Sequence, residues 1–407
     1  MAPQSAAKAA PDTRILWIIA AGCGIGLIGF GVRSDFGLFL LPMVDAREFT
    51  KADFGFAMAL QALLWGLGQP FAGAMADRYG TARVLATGGL LYAAGVILGA
   101  LSQSAIQLYL TLGVLVGFGM SSASFMIVMG AFARLVPAEQ RSWALGIATA
   151  SGSLGQFLLT PLGAVLLEAF GWETAMIMTG LLCLAIIPLA IALKSRKAEP
   201  HAAPSALSWH AALAEAFDQR AYWLLILGFF VCGFQVTFIQ TYIPAFVQTR
   251  GIGLDIGAWA VSLIGGFNIV GAYTAGVLGG RHSKKYLLVM IYLGRCVAIT
   301  AFMLLPITPA SVLVFSAVMG LLWLSTVPLT SGLVAQIFGL GSMSMLFGIV
   351  FVSHQLGSFL GVWLAGYLFE TTGSFDAVWW ISVALGLFAA AIHWPIDERA
   401  LNRAAVA

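Results

Sequence analysis

The chain has 407 residues, 60% of them hydrophobic and 9% charged, with a formal net charge of +3. Soluble domains carry about 25% charged residues, so a soluble fold is excluded and the class is a polytopic membrane protein, in line with a mean hydropathy of +0.95. The positive charges are scattered over short loops, which excludes a nucleic-acid patch, and the absence of a Gly-rich loop followed by Lys-Ser/Thr excludes ATP hydrolysis.

Met1–Arg14 is small and polar and has no cleavage site after the next apolar run, so it reads as a cytoplasmic tail before a retained helix. A spanning helix needs roughly 20 mostly apolar residues. Cutting at polar or Pro/Gly-rich breaks predicts six spans at 15–44, 53–75, 83–102, 106–133, 142–166 and 172–193, and six more at 221–246, 256–280, 286–305, 311–335, 344–369 and 375–394. The polar stretch 194–220 between the sixes reads as a linker whose "WHAALAEAF" forms a short helix on the membrane surface. The predicted domains are therefore 1–193, 194–220 and 221–407. With the N-terminus inside, inner loops hold fifteen Lys and Arg, among them Arg14, Arg78, Arg83, Arg134, Lys284 and Lys285. Outer loops hold Arg47, Lys51 and Arg250. That bias places both termini in the cytoplasm. Cys23, Cys183, Cys232 and Cys296 lie in apolar runs without metal-ligand spacing and read as packing residues. No metal, cofactor or catalytic set is expected, and the chain reads as no enzyme.

Within the spans, each polar side chain must find a partner or water, so each is a candidate for function. The first span carries Arg33 and Asp35 inside "IGLIGFGVRSDFGLFLLPM". A guanidinium is always charged and offers a planar fork suited to a carboxylate. The alternatives are snorkelling to the outer surface and a structural pair with an acid of another helix. Two residues apart means about 200° around a helix, so Asp35 is an awkward partner; it reads as a helix tie or a proton site. Gln61, Trp65, Ser122, Ser124 and Gln156 are open between structure and function. In the seventh span Gln235, Phe238, Ile239 and Tyr242 share a face by 3–4 spacing while Gln240 points elsewhere. Tyr242 is taken as a cavity donor, with an interfacial tyrosine as the alternative, and Asn268 as the better polar candidate of the eighth span. Arg295 in the ninth, within reach of the cytoplasmic end, and Ser325, Thr326 and Thr330 in the tenth read as structural. His354 and Gln355 in the eleventh are candidates for the cavity, since a histidine side chain can both donate and accept a hydrogen bond.

"GAMADRYGTAR" (Gly73–Arg83) follows the second span and "GVLGGRHSKKY" (Gly276–Tyr286) follows the eighth, both on one side of the membrane, which marks a parallel six-plus-six repeat. Gly73, Asp77, Arg78, Gly80 and Arg83 resemble the cytoplasmic loop motif of the major facilitator superfamily. The resemblance covers the whole chain and implies an all-α fold of twelve transmembrane helices in two six-helix bundles. It further implies that these five residues act as a conformational latch between cytoplasmic helix ends in the outward-facing state. The second loop has Gly280 in place of the acid, so any latch there is expected to be differently made. "RSWALGIATASGSLGQ" (Arg141–Gln156) resembles the fifth span of monocarboxylate porters and oxalate/formate-type antiporters, and "VRSDFGLFL" resembles the segment where monocarboxylate porters place a substrate-pairing lysine. The Asp and Arg of those porters' eighth span are missing; Asn268 and Ala272 stand there.

The expected function is secondary transport of a small organic anion, most simply a monocarboxylate, by alternating access across a bacterial inner membrane. The expected substrate-binding residues are Arg33, Tyr242, Asn268, His354 and Gln355, and the proton-coupling candidates of a symporter are Asp35 and His354. The alternatives are anion exchange, which needs no titratable site, and efflux of drugs or toxic anions. The expected partners are the small organic anion, protons and the lipid bilayer, with no nucleic acid, and the expected state is monomeric.

Overall fold

The computed structural model describes residues 13–194, 209–339 and 343–401. Residues 1–12, most of the linker and the last six residues lie outside these. The first half contains α1 (Thr13–Ala46), α2 (Lys51–Tyr79), α3 (Thr81–Ala100), α4 (Ala105–Leu108), α5 (Val116–Ser122), α6 (Phe125–Leu135), α7 (Ala138–Phe170), α8 (Trp172–Cys183) and α9 (Ile186–Ala192). A π-helical stretch, Tyr109–Leu115, joins α4 to α5. After α10 (Trp209–Asp218), inside the linker, the second half contains α11 (Arg220–Thr249), α12 (Leu254–Gly279), α13 (Lys284–Leu304), α14 (Pro309–Leu322), α15 (Thr326–Phe338), α16 (Met343–Thr372) and α17 (Asp376–His393). α4 through α6, α8 with α9, and α14 with α15 each form one rod, so each half has six. Among the described residues eleven rods are long and apolar enough to cross a membrane. The twelfth is α2, which carries Lys51, Asp53, Gln61, Gln69, Asp77 and Arg78. It turns toward the other half, and a helix facing a polar seam needs no continuous apolar coat.

Two rods expected to be continuous are broken at equivalent places. α5 stops at Ser122 and α6 starts after Ser124, whose hydroxyl accepts from the Ile127 amide and from Gln69 Nε2. α14 stops at Leu322 and α15 starts at Thr326. Freed backbone groups within a membrane must be satisfied. Arg295 does this in the second half, donating to the Leu322 and Trp323 carbonyls, and Asn268 Oδ1 accepts from the Leu324 amide at 2.9 Å. Arg295 is fully buried rather than near a helix end.

Small residues set how closely helices approach, as expected where lipid removes the hydrophobic drive between them. Within the first half α1 packs on α7 so closely that a Cβ on Gly155 would run into the Leu27 backbone. The halves meet through α1 with α11, α2 with α16 and α7 with α12. We call the end bearing Gly73–Arg83 the motif face. Toward the opposite, far face the seam is tight: a Cβ on Gly37 would stand 2.5 Å from the Thr241 carbonyl oxygen, and Lys51 N donates to Glu370 at 2.8 Å. At mid-depth Trp65 meets Phe351 edge-on at 5.7 Å, and Asn268 Nδ2 donates to Ser153 Oγ at 2.8 Å. Toward the motif face, Gly73 of α2, Gly146 of α7, Gly276 of α12 and Gly348 of α16 have nothing within 4 Å of the place of a Cβ. The halves are sealed on the far face and parted on the motif face.

Candidate functional site

Arg33 sits at the sealed head of the gap. Its Nη1 donates to Gln240 Oε1 at 2.9 Å, Gln240 Nε2 donates to Ser34 Oγ at 2.8 Å, and Ser34 Oγ donates to the Phe30 carbonyl. The guanidinium carbon lies 5.3 Å from the Trp65 ring centroid, a cation–π contact. Arg33 Nε is buried without a hydrogen-bond partner. Among the described residues no carboxylate pairs with this arginine. Arg33 opens onto a cavity shared with Met58, Gln61, Thr237, Gln240 and Thr241, whose free volume of ≈ 10 Å³ suits about one water. A larger ligand therefore requires the seam to shift.

Asp35 leaves α1 on the other side, as the helical angle requires. It is 1% exposed and lies beside Gly163 and Thr160 of α7. The buried Thr160 hydroxyl is the polar group next to its carboxyl, without a well-formed hydrogen bond between them.

The second-half candidates do not converge on Arg33. Tyr242 is 1% exposed in the far-face seal, where its hydroxyl donates to the Val362 carbonyl at 3.2 Å and abuts Gly55 and Gly366. Its 3–4 face packs inward, and Gln235 on that face donates to the Ser382 carbonyl and accepts from Arg295. The other face of α11, with Thr237, Gln240 and Thr241, meets α1. Asn268 is satisfied on both sides by Ser153 and the Leu324 amide, which makes it a tie between halves. His354 Nδ1 lies 3.2 Å from Gln355 Oε1, and its ring stacks on Phe351. Gln355 packs on Gly66, next to Trp65, and its Nε2 is buried and unpartnered, as is Trp65 Nε1.

On the motif face Asp77 Oδ1 accepts from Arg134 Nη1 of α6 at 3.0 Å, a bond inside the first half that does not reach α11 or α16. Gly80 holds φ at +92°, a left-handed conformation that favours glycine. Arg78 and Arg83 are exposed, and Gly73 faces open space. In the second half, Gln336 of α15 receives Lys284 Nζ at 2.7 Å. The segment after α17 also reaches this face: Glu398 Oε1 accepts from the Lys285 amide at 2.6 Å, and its carbonyl accepts from Gln336 at 2.8 Å.

Sequence reasoning missed Gln240, Arg134 and Glu398. Gln240 carried a signal, as a polar residue one turn from the helix-breaking Pro244. Nothing in the spacing told which polar face of α11 looked across the seam.

Residues 18–344 match the Major Facilitator Superfamily. Human "Monocarboxylate transporter 11" is 26% identical over 408 residues, covering 97% of this chain and 85% of that protein. The "Uncharacterized MFS-type transporter YcxA" of Bacillus subtilis (strain 168) is 24% identical over 375 residues, covering 88% and 90%. Among solved structures, a D-xylose-proton symporter superposes with a TM-score of 0.74 at 17% identity, over 96% of this chain and 100% of that one. A bacterial homologue of the human lysosomal transporter Spinster, in an inward-facing and unoccupied conformation, superposes at 0.75 with 14% identity, over 94% and 97%. At these identities the likeness to solved structures is one of fold.

Proposed function

Because the chain belongs to the major facilitator superfamily, we propose that it is a secondary transporter of a small monocarboxylate, working by alternating access with the motif face in the cytoplasm of a bacterial cell. The observation that carries the reading is Arg33: a partly buried charged guanidinium at the seam, with no acid paired to it among the described residues and an unpartnered Nε. A buried charge is stable only when paired, and a substrate carboxylate is the group a guanidinium fork fits best. The names of the relatives at about a quarter identity support the same class.

In this reading Arg33 holds the carboxylate while Gln61, Thr237 and Gln240 supply polar contacts. Met58, Trp65 and Phe351 enclose the short carbon chain. Tyr242 belongs to the outer gate, Asn268 to the pivot between halves, and His354 with Gln355 to the wall beside Trp65. Residues 1–193 and 221–407 move as the two rocking bodies, joined by 194–220, in a monomer of the inner membrane. Binding neutralises Arg33 and so lowers the cost of enclosing it, which couples occupancy to closure.

The test is counterflow of labelled acetate, lactate, pyruvate and butyrate in proteoliposomes. The wild type is expected to exchange at least one of them and Arg33→Ala none. Exchange of none by the wild type, or equal exchange by Arg33→Ala, overturns the proposal.

A further inference from the structure

The first turn of α2 is capped from both halves of the protein. Thr50 and Asp53 form a capping box: Thr50 Oγ1 accepts from the Asp53 amide at 3.0 Å, and Asp53 Oδ2 accepts from the Thr50 amide at 3.0 Å. Asp53 Oδ1 accepts from the Tyr109 hydroxyl, which ties that acid to the π-helical stretch of its own half. The box leaves out the amide of Lys51, the first residue of the helix. That amide donates to Glu370 Oε1 at 2.8 Å, and Glu370 belongs to α16 of the other half. Glu370 stands in the last turn of α16, where the negative end of its own helix opposes its charge and the positive end of α2 favours it. Two far-face arginines pair within one half: Arg47 with Glu173, and Arg250 with Asp376 at 2.8 Å. Lys51 Nζ adds a second crossing contact, 4.6 Å from the Phe369 ring centroid. The corner is close-packed: a Cβ on Gly366 would stand 2.9 Å from the Lys51 carbonyl oxygen.

We infer that Glu370 is a latch of the far face: a carboxylate of one half that caps the first amide of a helix in the other and so holds the two halves sealed there. The capping box has both partners in α2 and its cap, so it survives any movement between the halves; the Glu370 bond does not. When the far face opens, the Lys51 amide returns to water and Glu370 keeps only the repulsion of its own helix end. Both changes favour the sealed state. The bond is exposed, and exposed charged contacts are weak. That suits a latch broken in every transport cycle, where a few-fold bias sets the resting state without stalling the carrier. The local backbone also offers a way to delete the donor alone. Thr50 is extended, at φ −91° and ψ 162°, the conformation a residue before proline requires, and proline is well accepted at the first helical position. Lys51→Pro therefore removes the amide hydrogen and keeps the helix start. The inference rests on the reading of alternating access with the motif face in the cytoplasm, and it stands whichever substrate Arg33 holds.

The experiment uses the full chain in intact cells. Met58→Cys, in the lining of the cavity under the seal, reports access to a membrane-impermeant maleimide added outside, and the chain without this reporter gives the background. Glu370→Ala is expected to raise the labelling rate about threefold or more, and Glu370→Gln, which keeps an acceptor without the charge, to raise it less. Lys51→Pro is expected to match Glu370→Ala, while Lys51→Ala, which keeps the amide, changes the rate less than about twofold. The double variant Lys51→Pro/Glu370→Ala is expected to label no faster than Glu370→Ala, because both changes remove the same bond. Unchanged labelling in Glu370→Ala and Lys51→Pro, or a double variant whose effect is the product of the two, overturns the inference. Where Glu370→Ala fails to fold, Lys51→Pro against Lys51→Ala decides, and equal rates overturn it. Gly37→Val, which cannot seal the far face, is the control for access. If Gly37→Val labels faster and the latch variants do not, the latch alone fails. If Gly37→Val labels no faster than the wild type, the alternating-access reading fails and the latch with it.

Discussion

Arg33 of α1 and Gln240 of α11 share a 2.9 Å hydrogen bond across the sealed seam between the two halves. The bond joins the first helix of each repeat at the point where a charged fork meets a neutral acceptor. A neutral amide holds an arginine loosely enough for a carboxylate to replace it, because charge-assisted hydrogen bonds are about twice as strong as neutral ones.

Gln240→Glu therefore places a permanent carboxylate on Arg33. It is expected to raise KM for a monocarboxylate at least tenfold and to leave the protein folded. Gln240→Ala frees Nη1 and should change KM less than fivefold. Uptake kinetics of both variants check this, and an unaltered KM in Gln240→Glu would count against the site.

The Asp77–Arg134 bond on the motif face is largely solvent-exposed, and exposed pairs contribute about 1 kcal/mol or less. Asp77→Asn should leave thermal stability and equilibrium binding nearly unchanged. It should slow transport several-fold if Asp77 takes a partner in the other half when the motif face closes. Parallel binding and counterflow measurements separate the two effects; lost binding would refute a latch role.

Glycines divide by which state they serve. Gly155→Val cannot fit against the Leu27 backbone and should prevent stable folding. Gly37→Val strikes the Thr241 carbonyl only while the far face is sealed, so it should fold and favour the state open on that face. Gly348→Val meets open space here and should hinder closure of the motif face instead. Accessibility of single cysteines placed on either side of the seam reads these shifts.

Arg295 joins the broken α14–α15 rod to α11 through the Leu322 and Trp323 carbonyls and Gln235. Arg295→Ala orphans those buried neutral acceptors and should cost about 1–3 kcal/mol for each one left unpaired. The check is the thermal midpoint of the purified protein in detergent; a fall of only a degree or two would contradict it.

The rods, the repeat and the signature loop were legible because each rests on composition or on a local motif. An apolar run of the right length has few alternatives in a bilayer, and Gly80 announces its turn. Helical geometry also separated Arg33 from Asp35. What stayed hidden depends on the rotation of one helix against another. Tyr242 and Gln240 both lie on α11, and packing against α1 and α16 decided which met the seam. The breaks at Ala123 and Trp323 were invisible because Arg295 and Asn268, far away in sequence, satisfy the second one. Glu398, beyond the last span, was no visible partner for Lys285 across 113 residues.

The central claim is that Arg33 holds a substrate carboxylate, and equilibrium binding to purified protein tests it most directly. Labelled lactate should bind the wild type, with unlabelled lactate competing and lactamide, its neutral isostere, failing to compete at a hundredfold excess. Arg33→Ala should bind neither. Competition by lactamide equal to that of lactate, or lactate binding by Arg33→Ala at wild-type affinity, would contradict the account.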